Sequence, residues 1–181
     1  MGQRSKLRKI VFTALFAAII YIGISALRIP IPAMVGRPFI HFGNPLMDLA
    51  IIFLGGGYGF IAAAIGLGGF DVLNGYAATS WLTVLEVAVM ALVLSAVLRM
   101  FKGDDRPRNM IILGVIAGLT KICTTVAVGT VEAMLVGNHF IPAIIAAFLS
   151  LPATVINSVA TAIIVPVLYF ALKPMFRRFN L

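Results

Sequence analysis

Residues 10–27 contain no charged side chain, and apolar stretches of similar character recur along most of the chain, separated by charge, proline and glycine. Such runs exceed what a soluble core element needs, whereas a hydrocarbon core about 30 Å thick calls for roughly 20 apolar residues per helix. Composition agrees: 61% of residues are hydrophobic and 11% charged, against about 45–50% and 25% in soluble domains. The chain reads as an integral membrane protein, and its 181 residues form one domain, 1–181, with room for about six helices.

The net charge of +8 would suggest nucleic acid in a soluble protein. Here the placement of the charges gives a different reading. Eleven of the fourteen Lys and Arg residues fall in three clusters: Arg4, Lys6, Arg8 and Lys9; Arg99, Lys102, Arg106 and Arg108; Lys173, Arg177 and Arg178. Cytoplasmic loops carry such excess. Spans at 9–27, 44–55, 58–74, 81–101, 109–136 and 140–172 place all three clusters, and therefore both termini, on the cytoplasmic side. The expected class is an all-α membrane protein of six transmembrane helices in the cell membrane, with no nucleic-acid partner. The first run resembles a signal peptide at its basic start, but its length and the lack of a clean small-residue cleavage site make it a retained span.

Gly55, Gly56, Gly57 and Gly59 suit a tight turn on the inner side. The outer loop at 28–43 contains Pro30, Pro32 and Pro38, so it is expected to be irregular and to fold over the outer face.

Polar side chains within spans are costly and mark function by default. At about 1.5 Å per helical residue, Asp71, Glu86 and Lys121 lie roughly 8–12 Å below the outer surface, with Glu132 close to the rim. Lys121, Thr125, Val128 and Glu132 form one stripe, because eleven residues make about three turns. Glu86 and Lys121 share a depth and can pair. His41, Asn74, Tyr76, Trp81, Asn138 and His139 add aromatic and hydrogen-bonding groups at or above that level, describing an outward pocket with apolar walls. Simpler roles compete: Trp81, Tyr76 and His41 as interfacial belt residues, Asp48 as a cap or backbone partner, Asn157 as glue between helices, and Glu86 with Lys121 as a mutually neutralised pair.

Chemistry in the chain itself is thinly supported. GxxxxGK[ST] and HExxH are absent, the two histidines lie 98 residues apart, and Cys123 is the only cysteine. No metal, disulfide or cofactor is expected, nor an enzymatic activity. Small residues four apart recur at Ala14 and Ala18, Ala62 and Gly66, and Gly114 and Gly118, a spacing that lets helix backbones approach closely.

His41, Gly43, the GGGYG turn, Gly66 and the run Asp71 to Tyr76, DVLNGY, resemble the substrate-binding S component of an energy-coupling factor (ECF) transporter, in its riboflavin and hydroxymethylpyrimidine branch. The likeness covers the whole chain in layout and residues 41–76 in motif. It implies a subunit that captures a water-soluble vitamin or precursor outside, under a lid formed by the first outer loop. It also implies a transmembrane coupling protein and two ATPase subunits as partners, ATP being used by those subunits. The AxxxA of the first helix, with Ala14, Ala17 and Ala18, then docks the coupling protein. Glu86 departs from the family, which tends to carry lysine near that position. The leading ligands are pyridoxine and hydroxymethylpyrimidine, small heteroaromatics that can stack on Trp81 or Tyr76 and hydrogen-bond to Asn74, Glu86, Lys121 or Glu132. A stand-alone proton-coupled carrier is the rival reading, since intramembrane carboxylates suit a proton relay, although no internal repeat of the kind many carriers show is evident.

Overall fold

A computed structural model describes residues 3–30 and 39–179, excluding the side chains of Arg4 and Pro30. Pro32 and Pro38 lie outside the described residues. In chain order the elements are α1 (Gln3–Ser25), β1 (Arg28–Pro30), β2 (Phe39–His41), α2 (Gly43–Leu54), α3 (Gly56–Ala63), a π-helical turn (Ala64–Gly68), α4 (Gly69–Leu73), α5 (Ser80–Met100), α6 (Pro107–Leu135) and α7 (Phe140–Arg178).

Among the described residues, five helical stretches are long and apolar enough to cross a membrane: α1, the run Gly56–Leu73, α5, α6 and α7. The 12 residues of α2 are apolar too, but at 1.5 Å each they span only about 18 Å. The expected last span at 140–172 falls within a longer helix, because α7 runs 39 residues to Arg178 with Pro152, Pro166 and Pro174 inside it. The all-α expectation also needs one amendment. The flanks of the expected loop at 28–43 pair as a two-stranded antiparallel ribbon, with Arg28 opposite His41 and Pro30 opposite Phe39.

Glycine shapes the packing at specific points. Gly55 alone makes the turn between α2 and α3, at φ 84°, while Gly56, Gly57 and Gly59 belong to α3. A Cβ on Gly59 would collide with the Ile51 backbone, so its absence lets α2 and α3 lie against each other as a tight hairpin. Gly114 and Gly118 do the same between α6 and α7, where a Cβ would come within 3.1 Å of Ala162 and 3.0 Å of Ser158. A Cβ on Gly66 would sit 2.7 Å from Ile20 of α1. Two of the three small-residue spacings therefore serve contacts within the chain. Ala14 and Ala18 differ: both are exposed, whereas Ala17 between them is buried at 6% exposure.

Ile20, Leu49, Ile51, Met90, Leu94, Leu113 and Val165 are sealed in the centre. At the end of the bundle that holds the basic clusters, Phe53 stacks on Phe176 with centroids 4.0 Å apart and planes 10° from parallel. Arg8 donates to the Phe179 carbonyl (3.1 Å), and Lys173 pairs with Asp105 (2.5 Å). These contacts gather the start of α1, the α5–α6 connection and the end of α7 at one end, as the charge pattern requires.

Candidate functional site

At the opposite end lies a cavity of about 260 Å³, walled by β2, the first turn of α2, α5, α6 and α7. The α6 wall is the stripe Lys121, Thr125, Val128 and Glu132, with Gly129 between. The α7 wall is Ser150, Ala153, Thr154 and Asn157, spaced so that one helical face meets the cavity. Thr83 and Glu86, three residues apart on α5, complete it with Asn44 of α2 and with Phe39 and His41 of β2.

The polar centre is an ion pair across two helices. Lys121 Nζ donates to Glu86 Oε2 at 2.5 Å, and the side chains are only 19% and 10% exposed. The second carboxylate oxygen, Oε1, accepts from Thr124 Oγ1 at 2.6 Å. A buried carboxylate needs such partners, since desolvating it unpaired costs several kcal/mol.

Asn157 secures the ribbon over this centre. Its Oδ1 accepts from the His41 backbone N–H, and its Nδ2 donates to the Phe39 carbonyl, each at 3.0 Å. His41 Nδ1 in turn accepts from the Gly43 N–H at the start of α2 (3.1 Å), which leaves the ring proton on Nε2. Burial, and then the positive charge of Lys121, lower the His41 pKa to about 3. The imidazole is neutral at physiological pH.

The ten expected site residues divide. His41, Glu86, Lys121 and Glu132 line the cavity. Asp71 stands behind it and accepts from Thr83, which lines it. Asn74 closes α4 by donating to the Phe70 carbonyl (2.9 Å), and Tyr76 stacks on Phe70 with centroids 6.3 Å apart. Trp81 is 49% exposed on α5. Asn138 donates to the Ala133 carbonyl at the end of α6 (3.0 Å), and His139 precedes α7 at its N-cap position without a side-chain capping bond. Asp48 neither caps α2 nor bonds backbone: it is 1% exposed, and neither carboxylate oxygen has a hydrogen-bond partner among the described residues.

Phe39, Asn44, Thr83, Thr154 and Asn157 are lining residues that the sequence reading did not assign to a pocket. Periodicity could have found some of them. Thr83 lies three residues before Glu86, and Thr154 and Ser150 lie three and seven before Asn157. Phe39 had no such signal, since its position depends on the ribbon.

Residues 4–174 match the model of a known family, the ECF-type riboflavin transporter, S component. The chain belongs to this family. Comparisons with curated proteins and with solved structures give no significant match. An S component is a vitamin-binding membrane subunit of an ECF transporter and not an enzyme. Apolar walls were expected, but the cavity of this S component is mainly polar: ten of its fourteen lining residues carry hydrogen-bonding or charged side chains, beside Phe39, Val128, Gly129 and Ala153.

Proposed function

We propose that this S component captures pyridoxine, hydroxymethylpyrimidine or a vitamin precursor of similar size from outside the cell and delivers it to a coupling protein and two ATPases. The observation that carries the reading is the size and lining of the cavity. Its volume of about 260 Å³ lies just below the roughly 300–1,000 Å³ usual for small-molecule sites. That favours a one-ring ligand. Phe39 offers a ring face, and Asn44, Thr83, Thr125, Thr154 and Glu132 offer hydrogen-bonding groups around it.

In this reading both termini are cytoplasmic, α2 is the sixth and shortest span, and the ribbon covers the cavity; residues 31–38, the rest of the expected lid, lie outside the described residues. Ala14 and Ala18 form the docking face on α1, with Ala17 turned into the core. Asn74, Tyr76, Trp81, Asn138 and His139 surround the entrance, where a ligand would pass on its way in.

Riboflavin is the second candidate, favoured by the description of the matching family. Its three-ring system is larger than the one-ring ligands that a volume of about 260 Å³ favours. Mass spectrometry of the small molecule retained by the purified chain separates the two: a one-ring vitamin or precursor is expected, and stoichiometric riboflavin would overturn the preference.

A further inference from the structure

We propose that the cavity holds its ligand as a cation, a one-ring nitrogen heterocycle whose protonated ring nitrogen or ammonium group faces Glu132. This rests on the reading of the cavity as the vitamin site. Among the described residues, Lys121 is the one Lys or Arg that lines the cavity, and it is already committed to Glu86 at 2.5 Å. Glu132 also lines the cavity, yet no Lys, Arg or His among the described residues forms an ion pair with it or with Asp71.

Among the described residues, Thr79 lies within side-chain hydrogen-bond reach of Glu132, and the charged groups in range of it are Asp71 from α4, Glu86 from α5 and Lys121 from α6. From β2 comes His41, which is neutral, and the α7 wall of Ser150, Thr154 and Asn157 carries no charge. Two like charges thus oppose one unlike charge around a carboxylate facing the ligand space. A neutral ligand would strip water from Glu132 and return at most an ordinary hydrogen bond. A cation replaces the lost hydration with a charge-assisted bond. An anionic ligand, such as a phosphate ester of the same ring, meets repulsion.

The test uses the full chain in nanodiscs of neutral lipid at pH 7, titrated with paired one-ring probes. The members of each pair differ only in an aminomethyl group, protonated at that pH, or a hydroxymethyl group, uncharged. The aminomethyl member is expected to bind at least ten-fold more tightly. Glu132→Gln should erase the preference and Glu132→Asp retain it. Equal or tighter binding of the hydroxymethyl member in the wild-type chain overturns the proposal, as does a preference that survives in Glu132→Gln. The wild-type comparison decides the matter even where a variant fails to fold. If neither probes nor any B vitamin binds, the vitamin reading itself falls and this proposal with it.

Discussion

Asn157 of α7 and His41 of β2 are 116 residues apart in sequence and joined at 3.0 Å, the amide oxygen of one accepting the backbone N–H of the other. The same amide donates to Phe39, so a single side chain on the longest helix holds both ends of β2. Replacing Asn157 with Ala leaves an N–H and a carbonyl without partners, at a cost of about 1–3 kcal/mol each where buried. The expected outcome is ligand affinity weakened ten-fold or more with most of the bundle's thermal stability retained. Asn157→Asp keeps the acceptor and loses the donor, and should fall between. Calorimetric titration of the three proteins checks the order.

Glu86 and Lys121 make a second prediction. Breaking a buried pair from one side leaves the other charge uncompensated, typically at about 3–5 kcal/mol. Glu86→Gln and Lys121→Met should each lower thermal stability or ligand affinity strongly. The double variant should lose less than the sum of the two. Additive losses in a double-mutant cycle would show that the 2.5 Å contact carries no coupling energy.

The membrane class, the helix order and the gathering of basic residues at one end were legible because each follows from hydropathy and charge along the chain. The α6 stripe was legible for the same reason, being a property of one helix. What the sequence withheld were contacts between elements. Nothing local announces that Phe39 pairs opposite Pro30, or that Asn157 reaches across to the ribbon. Depth alone also groups residues too generously: Asn74 and Trp81 lie at the right height, but one turns back to its own helix end and the other outward. Small-residue spacing was ambiguous until packing separated Gly114 and Gly118, which face α7, from Ala14 and Ala18, which face outward.

That separation gives a third prediction. Ala14 and Ala18 are exposed one turn apart on α1, leaving room for another helix to approach closely. Replacing both with Leu should leave ligand binding by the isolated chain intact and abolish ATP-driven uptake in liposomes that also contain the coupling protein and ATPases. Undiminished uptake would remove this face as the docking site. Ala17→Leu should instead destabilise the fold, since the position is buried at 6% exposure.

A fourth prediction concerns the basic end. The hydrogen bond from Lys173, then that from Tyr169, hold the Asp105 carboxyl below its usual pKa. A carboxylate depressed in the folded state contributes stability in full above its unfolded pKa of about 3.9 and loses it as pH falls through the lower folded value. Asp105→Asn should therefore be less stable than the wild type at pH 7, with the difference shrinking as pH drops below about 4. Thermal unfolding across pH 3–7 checks it, and a difference that grows on acidification would contradict the assignment.

In the proposed function one chain, without ATP or partners, captures a small vitamin in the cavity beneath β2. The most direct test is equilibrium binding of pyridoxine, hydroxymethylpyrimidine and riboflavin to the purified chain in nanodiscs, wild type beside Lys121→Met. The account predicts saturable binding of a one-ring ligand at one site per chain, lost or strongly weakened in the variant. Absence of saturable binding for these three and the remaining B vitamins, or binding indifferent to Lys121, would contradict it.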